Sequence, residues 1–127
     1  DLSLWTVPIS GSNAIGRHKL GATSRSIGPP ILGTKLRVVV LDTGVTGFNL
    51  EGKKLWEHKG VPTGGVSVTN DDIVLIADGN HVVALDHKGK RSEIWSAPDV
   101  TLVTPPILNG GGLLLVASEK FLHGVAF

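Results

Sequence analysis

A repeat of about forty residues constrains the fold of this sequence more than any other feature. Trp56 and Trp95 lie 39 residues apart, and each follows an apolar residue and a glycine-containing turn. The Pro-Pro-Ile-Leu sequence of residues 29–32 returns two periods later, at residues 105–108. A period of this length predicts a series of similar units, each of which buries its apolar surface against its neighbours.

Each period contains up to four short segments with the character of β-strands, separated by turns rich in glycine, asparagine or aspartate. No segment carries apolar residues at helical spacing over three turns. The second segment is almost wholly apolar, which is typical of a strand buried on both faces; it spans residues 36–41, 73–77 and 113–117. Four short strands per period predict the blades of an all-β propeller, and a β-sandwich is the alternative.

The lead-in to each tryptophan resembles the blade motif Ala-x-Asp-x-x-Thr-Gly-x-x-x-Trp of the pyrroloquinoline-quinone-like repeat family. The threonine is absent from both copies, and the step from Gly89 to Trp95 is two residues longer than in the family. The resemblance implies a β-propeller in which an outer-strand tryptophan docks between blades, and it implies an extracytoplasmic or periplasmic location. The matching positions are Gly47, Asn49, Gly52 and Trp56 in one repeat and Ala84, Asp86, Gly89 and Trp95 in the next.

The repeat predicts one partial propeller over residues 1–127. Residues 1–7, in which Trp5 follows an apolar residue, are predicted to form an end strand that completes a shared blade. Residues 8–27 exceed the repeat and are predicted to form an inserted loop on a rim. Three blades are predicted to follow, the last without its outer strand, at residues 28–60, 61–99 and 100–127.

Three blades cannot close a ring, because propellers contain about four to eight blades. An open arc exposes apolar blade faces, which favours association. We therefore expect one of two arrangements. The first is a homodimer that forms a six-bladed ring, with residues 2–7 of each chain completing the last blade of the other. The second is a longer propeller whose remaining blades lie outside this sequence.

The composition excludes several kinds of site. The 127 residues include no cysteine, which excludes disulfides, cysteine nucleophiles and thiolate metal sites. A net charge of +1 gives no reason to expect a nucleic-acid or membrane-surface partner, and the longest apolar runs are too short to span a bilayer. The five histidines lack the spacing of metal ligands. We therefore predict no catalytic, cofactor-binding or metal-binding residue.

A basic stretch of the inserted loop is the candidate binding feature, and it could contact an acidic surface of a protein partner. Its residues are Arg17, His18, Lys19 and Arg25. A solvated loop is the simpler explanation of these charges. The sequence thus favours a non-catalytic propeller that binds or scaffolds a protein partner through a rim loop or a ring face.

Two other functions remain open at this point. A fragment of a quinoprotein dehydrogenase is one, but the quinone site of that subfamily uses a vicinal disulfide and a stacked tryptophan. The sequence has no cysteine, and its three tryptophans are all assigned to outer strands. A sugar-binding propeller is the other, and the absence of tyrosine counts against it.

Overall fold

The computed structural model describes residues 2–6, 16–21 and 25–126, with side chains described in the last of these ranges. This described part is all β and contains no helix, which confirms the expected all-β class. Its strands form antiparallel sheets of two, three and four strands. The described residues form no closed barrel and no propeller, and they contain no helix that could cross a membrane.

A two-stranded hairpin precedes three larger sheets. The hairpin pairs β1 (Leu2–Thr6) with β2 (Gly16–Gly21). The first sheet contains, in order, β3 (Ile31–Leu32), β4 (Arg37–Leu41), β5 (Gly44–Phe48) and β6 (Lys54–Lys59). The second sheet contains β7 (Gly65–Val68), β8 (Val74–Asp78), β9 (His81–Leu85) and β10 (Arg91–Ser96). The third sheet contains β11 (Ile107–Leu108), β12 (Leu113–Ala117) and β13 (Leu122–Ala126).

The inserted loop predicted for residues 8–27 is wrong for residues 16–21, which form strand β2. Arg17 lies opposite Trp5 in the hairpin, and His18 lies opposite Leu4. Antiparallel pairing satisfies the backbone donors and acceptors of a polar segment without requiring apolar alternation, and the sequence pattern therefore did not reveal this strand. The rest of the predicted loop includes residues outside the described ranges.

One five-residue turn recurs at four strand connections. Its first residue donates its backbone N–H to the carbonyl of the fifth residue, and its side-chain oxygen accepts the N–H of that fifth residue at 2.8 to 3.1 Å. The fourth residue has a positive φ of 60° to 86°, a conformation that glycine adopts without strain. The repeated side-chain acceptor explains the Asn and Asp residues of the motif as turn formers. The turns begin at Asn49, Thr69, Asp86 and Asn109 and have Gly52, Asp72, Gly89 and Gly112 at the fourth position.

The second sheet is packed on both faces. Val74 and Ile76 point toward the first sheet, and Leu75 and Ala77 point toward the third, because successive side chains alternate along a strand. All four residues are buried. Stacking of sheets face to face is therefore the main source of the core. The residues that meet the second sheet include Leu36, Val38, Val40 and Val45 of the first sheet and Leu114 and Val116 of the third.

Trp56 links the first two sheets. A Cβ atom at Gly47, its pairing partner on β5, would overlap the indole ring. A Cβ at Gly89, in the β9–β10 turn of the second sheet, would lie 2.5 Å from the Cβ of Trp56. Both glycines therefore provide the space in which a large buried side chain packs.

Trp95 occupies a different pairing position in its sheet from that of Trp56. Trp56 pairs with Gly47, whereas Trp95 pairs with Val82 and follows a register shift after Glu93. The longer step from Gly89 to Trp95 places the second indole closer to the β8–β9 end of its sheet. Trp95 is half-buried and packs against the third sheet, with its ring centroid 5.2 Å from that of His123.

Candidate interaction surface

The third sheet exposes an apolar face. Strand pairing places Leu115 opposite both Ile107 and Gly124, and it places Ala117 opposite Leu122. Paired residues of an antiparallel sheet point to the same side. These residues and their neighbours in register form a surface that we call the outer face: Ile107, Leu113, Leu115, Ala117, Leu122, Gly124 and Ala126.

Three aliphatic side chains of the outer face are strongly exposed. Leu122 is 72% exposed, Ile107 is 60% exposed and Leu113 is 37% exposed. The outer face contains no charged side chain. Fully burying one such aliphatic side chain stabilises a protein or complex by about 1.5–3 kcal/mol. A contiguous exposed apolar surface of this kind is typical of a protein-interaction site.

The same positions are covered in the second sheet. The hairpin pair Ala77–Val82 corresponds to Ala117–Leu122, and Leu75 corresponds to Leu115. Val82 and Ala77 are 0% exposed, because the third sheet packs on them. Val40 and Val45 form the matching hairpin pair of the first sheet and are buried against the second sheet; in the third sheet this face has no covering sheet among the described residues.

The opposite end of the stack is closed. Val39, Leu41 and Phe48 lie on the face of the first sheet that points away from the second sheet. They are nevertheless buried, with Phe48 at 0% exposure. The two ends of the stack therefore differ, because the apolar side chains at the first sheet are already covered.

Strand β13 also forms an open sheet edge. In the first two sheets the third strand pairs with a fourth, β5 with β6 and β9 with β10. Within the described residues, β13 pairs with β12 alone. An unpaired edge next to an exposed apolar face leaves both backbone groups and side chains for a partner.

The structure places the four residues of the predicted basic loop in two separate segments. Arg17, His18 and Lys19 lie on β2, opposite Trp5, Leu4 and Ser3, and their side chains are outside the described part. Arg25 precedes the first sheet, and its backbone N–H donates to Asp42 Oδ1 at 2.9 Å. The Arg25 side chain is 83% exposed, with Nε 3.9 Å from Asp42 Oδ2. Such an exposed pair contributes little to stability.

The histidines of the described part lie in separate places. His58 Nε2 is 3.4 Å from Asp78 Oδ2, which links β6 of the first sheet to β8 of the second. His81 Nδ1 is 3.0 Å from Glu93 Oε2 within the second sheet, and His123 contacts Trp95. The described residues contain no group of three or more side chains that could hold a metal ion.

The cleft between the first two sheets is open to solvent and is lined by charged, polar and apolar side chains. It has a volume of about 590 Å³, and Lys35, His87 and Lys88 are among the residues that line it. Its most buried charged side chain, Asp72, already accepts the backbone N–H groups of Thr34 at 2.6 Å and of Lys35 at 2.9 Å. That carboxylate therefore joins the first two sheets.

The turn of residues 86–90 stabilises the ionised form of its first residue, Asp86. The backbone N–H of Lys90 donates to Asp86 Oδ1, and this hydrogen bond, aided by that of Lys88, lowers the pKa of the Asp86 carboxyl. A negative charge at this position is thus stabilised by the turn itself. The turn accounts for Asp86 without a role in binding.

The sequence predicted that an open arc of blades exposes apolar faces, but it did not identify the residues of the outer face. Leu122 follows the same apolar pattern as its covered counterpart Val82, and a pattern cannot state which copy of a repeat has a neighbour. The position of the third sheet at the end of the described stack is the missing information.

Comparison with known proteins yields a structural likeness only. The chain matches no family model and no curated protein. It is similar to the crystal structure of a protein of unknown function from Bacteroides caccae, with a TM-score of 0.58 and 13% sequence identity. The match covers 89% of this chain and 46% of the other, so the chain spans less than half the length of that neighbour.

Proposed function

We propose that this protein is a non-catalytic binding or scaffold protein of the β-propeller type, whose protein partner covers the outer face of the third sheet. The observation that carries the proposal is the exposure of Leu122, 72%, at a position where the second sheet has Val82 at 0%. The stacked sheets are consecutive blades in this proposal. The partner supplies the contact that each blade otherwise receives from the next.

Two features support the assignment of the sheets as blades. The turn that contains Asp86 and Gly89 and the packing of Trp56 against Gly89 fit the structural role that the pyrroloquinoline-quinone-like motif has in its family. The coverage of 89% and 46% also makes the Bacteroides caccae protein about twice as long as this chain, which leaves room there for as many sheets again. That likeness concerns the fold alone.

A matched pair of substitutions tests the proposal. Leu122 on the outer face and Leu32 on the first sheet are both 72% exposed, so a lysine costs little folding stability at either position. We expect the wild-type chain to associate in a concentration-dependent manner in sedimentation equilibrium. Leu122→Lys should weaken this association and Leu32→Lys should leave it unchanged. Association that Leu122→Lys does not weaken, or that Leu32→Lys weakens equally, would contradict the proposal.

A further inference from the structure

Gly124 is a glycine inside a strand whose described surroundings do not require one. It lies in β13, opposite Leu115, and it is exposed. Its φ is outside the positive region that favours glycine. A Cβ atom there would lie 3.6 Å from Leu113 Cδ1 and 3.7 Å from Leu115 Cδ2, which is ordinary van der Waals contact. Glycine weakens the interior of a strand, and it often marks a site that another group approaches closely.

The first sheet shows what a glycine at this position accommodates. Gly47 of β5 is equivalent to Gly124, because each lies two residues after the matching hairpin residue, Val45 in β5 and Leu122 in β13. Trp56 of the fourth strand pairs with Gly47, and a Cβ at Gly47 would overlap its indole ring. The indole therefore explains the glycine in the first sheet.

The second sheet provides the contrasting case. Ala84 holds the equivalent position in β9 and pairs with Ser92, whereas Trp95 pairs with Val82. Glycine is thus present where an indole occupies this position, and it is absent where the indole lies elsewhere. Gly124 makes the third sheet resemble the first.

We infer that the open edge of β13 binds an extended segment of a partner protein, antiparallel to β13, whose tryptophan lies over Gly124. The inference rests on the proposed function, because it names the part of the partner that reaches the outer face. Strands β5 and β9 each pair with a tryptophan-bearing fourth strand, whereas within the described residues β13 pairs with β12 alone. A peptide that adds to a sheet edge gains affinity from backbone hydrogen bonds and specificity from side-chain contacts.

The surroundings of Gly124 suit an indole ring. Leu115 lies opposite Gly124, and Leu122, which is 72% exposed, lies two residues away on the same face. A tryptophan buries about 150–250 Å² when it packs in this way. The outer face contains no charged side chain that the ring would desolvate.

The tryptophan comes from a different protein. Each of the three tryptophans of this chain lies on a strand that is already paired within it, since β1 pairs with β2, β6 with β5 and β10 with β9. Trp56 and Trp95 also pack into the core clusters of their own chain. A second copy that inserts Leu2–Thr6 is the alternative that the experiment has to exclude.

A fluorescently labelled peptide with the sequence of residues 53–60, Lys-Lys-Leu-Trp-Glu-His-Lys-Gly, is the probe. Fluorescence anisotropy measures its binding to the full chain. We expect saturable binding. The Trp56→Ala form of the peptide should bind about tenfold more weakly or less, because aromatic anchors dominate the binding energy of such contacts.

Substitution of Gly124 separates binding from stability. Gly124→Val fills the space that the indole needs, whereas a β-branched residue is favourable in a strand. We expect it to weaken peptide binding about tenfold or more and to keep the wild-type midpoint of thermal denaturation or raise it. Gly28→Val is the control, since Gly28 is exposed and would have no heavy atom within 4 Å of an added Cβ. Gly124→Ala replaces Gly124→Val if circular dichroism shows that the valine variant is unfolded.

Three results would overturn the inference: no binding of the tryptophan peptide, equal binding of the two peptides, or equal binding by folded Gly124→Val and the wild-type chain. Self-association that Leu122→Lys weakens would then leave the proposed function standing, because it requires only the exposed apolar face. Self-association that Trp5→Ala abolishes would assign the segment to a second copy and overturn its assignment to a different protein.

Discussion

The second and third sheets share one sequence pattern but differ in burial. At matching hairpin positions Val82 is 0% exposed and Leu122 is 72% exposed. Both sheets use the same five-residue turn and the same apolar second strand. Local sequence thus specifies the sheet, whereas burial depends on whether another sheet packs on its face.

The largest expected effect compares one repeat position in the two sheets. Leu75→Ala removes a side chain that is 1% exposed and leaves a cavity between the second and third sheets. We expect it to lower the free energy of unfolding by about 2–5 kcal/mol. Leu115→Ala, at the half-buried equivalent, should cost about 1 kcal/mol or less. Urea denaturation measures both, and equal losses would show that the outer face is covered within a single chain.

A second comparison isolates the packing of Trp56. Gly89 and Gly52 hold the same turn position with φ of 82° and 86°, so an alanine strains the backbone similarly at both. Only Gly89 lies against Trp56, whereas the space around Gly52 is open. We expect Gly89→Ala to destabilise the protein by about 1–3 kcal/mol more than Gly52→Ala, as overpacked sites do. Equal thermal denaturation midpoints would argue against Trp56 as the link between the first two sheets.

A third substitution makes a turn of the second sheet resemble that of the third. Asp72 and Gly112 occupy the same turn position in the second and third sheets. Only Asp72 has a side chain, and its carboxylate accepts the backbone N–H groups of Thr34 and Lys35 from the first sheet. Asp72→Gly keeps the positive φ but removes this acceptor. We expect a loss of about 1–3 kcal/mol in the free energy of unfolding. The exposed neighbour gives the control, since Asp71→Asn should change stability by about 0.5 kcal/mol or less.

The smallest expected effect concerns pH. The hydrogen bond from Lys90 N–H lowers the pKa of Asp86 below its ordinary value of 3.8, so the folded state favours the carboxylate. This contribution to stability is present above the unfolded pKa and is lost as the pH falls through the folded pKa. Asp86→Asn should therefore weaken the loss of stability that accompanies acidification below about pH 5. Asn49 and Asn109 fill the same turn position, so the amide fits there; an unchanged acid profile would contradict this account.

Much of the fold could be predicted from the repeat. The apolar runs at residues 73–77 and 113–117 became strands β8 and β12, and the segments around Trp56 and Trp95 became β6 and β10. Patterns of this kind follow from local chemistry, because buried strands need apolar residues and tight turns need side-chain acceptors or glycine.

Features that depend on distant contacts could not be predicted. Strand β2 forms because it pairs with β1, and its sequence, with Arg17 to Lys19 in succession, carries no alternating pattern. Trp56 and Trp95 occupy different pairing positions in their sheets because the register shifts within β10. Exposure of Leu122 reflects the position of its sheet in the stack, which no single repeat records.

Hydrogen–deuterium exchange at increasing protein concentration tests the central claim most directly, because it reports each sheet separately within one sample. Contact at the outer face predicts slower exchange in residues 113–117 and 122–126 as concentration rises, with residues 74–78 and 81–85 of the second sheet unchanged. Slowing that is confined to the first sheet, or that is equal in the second and third sheets, would contradict the claim that the outer face is the contact surface.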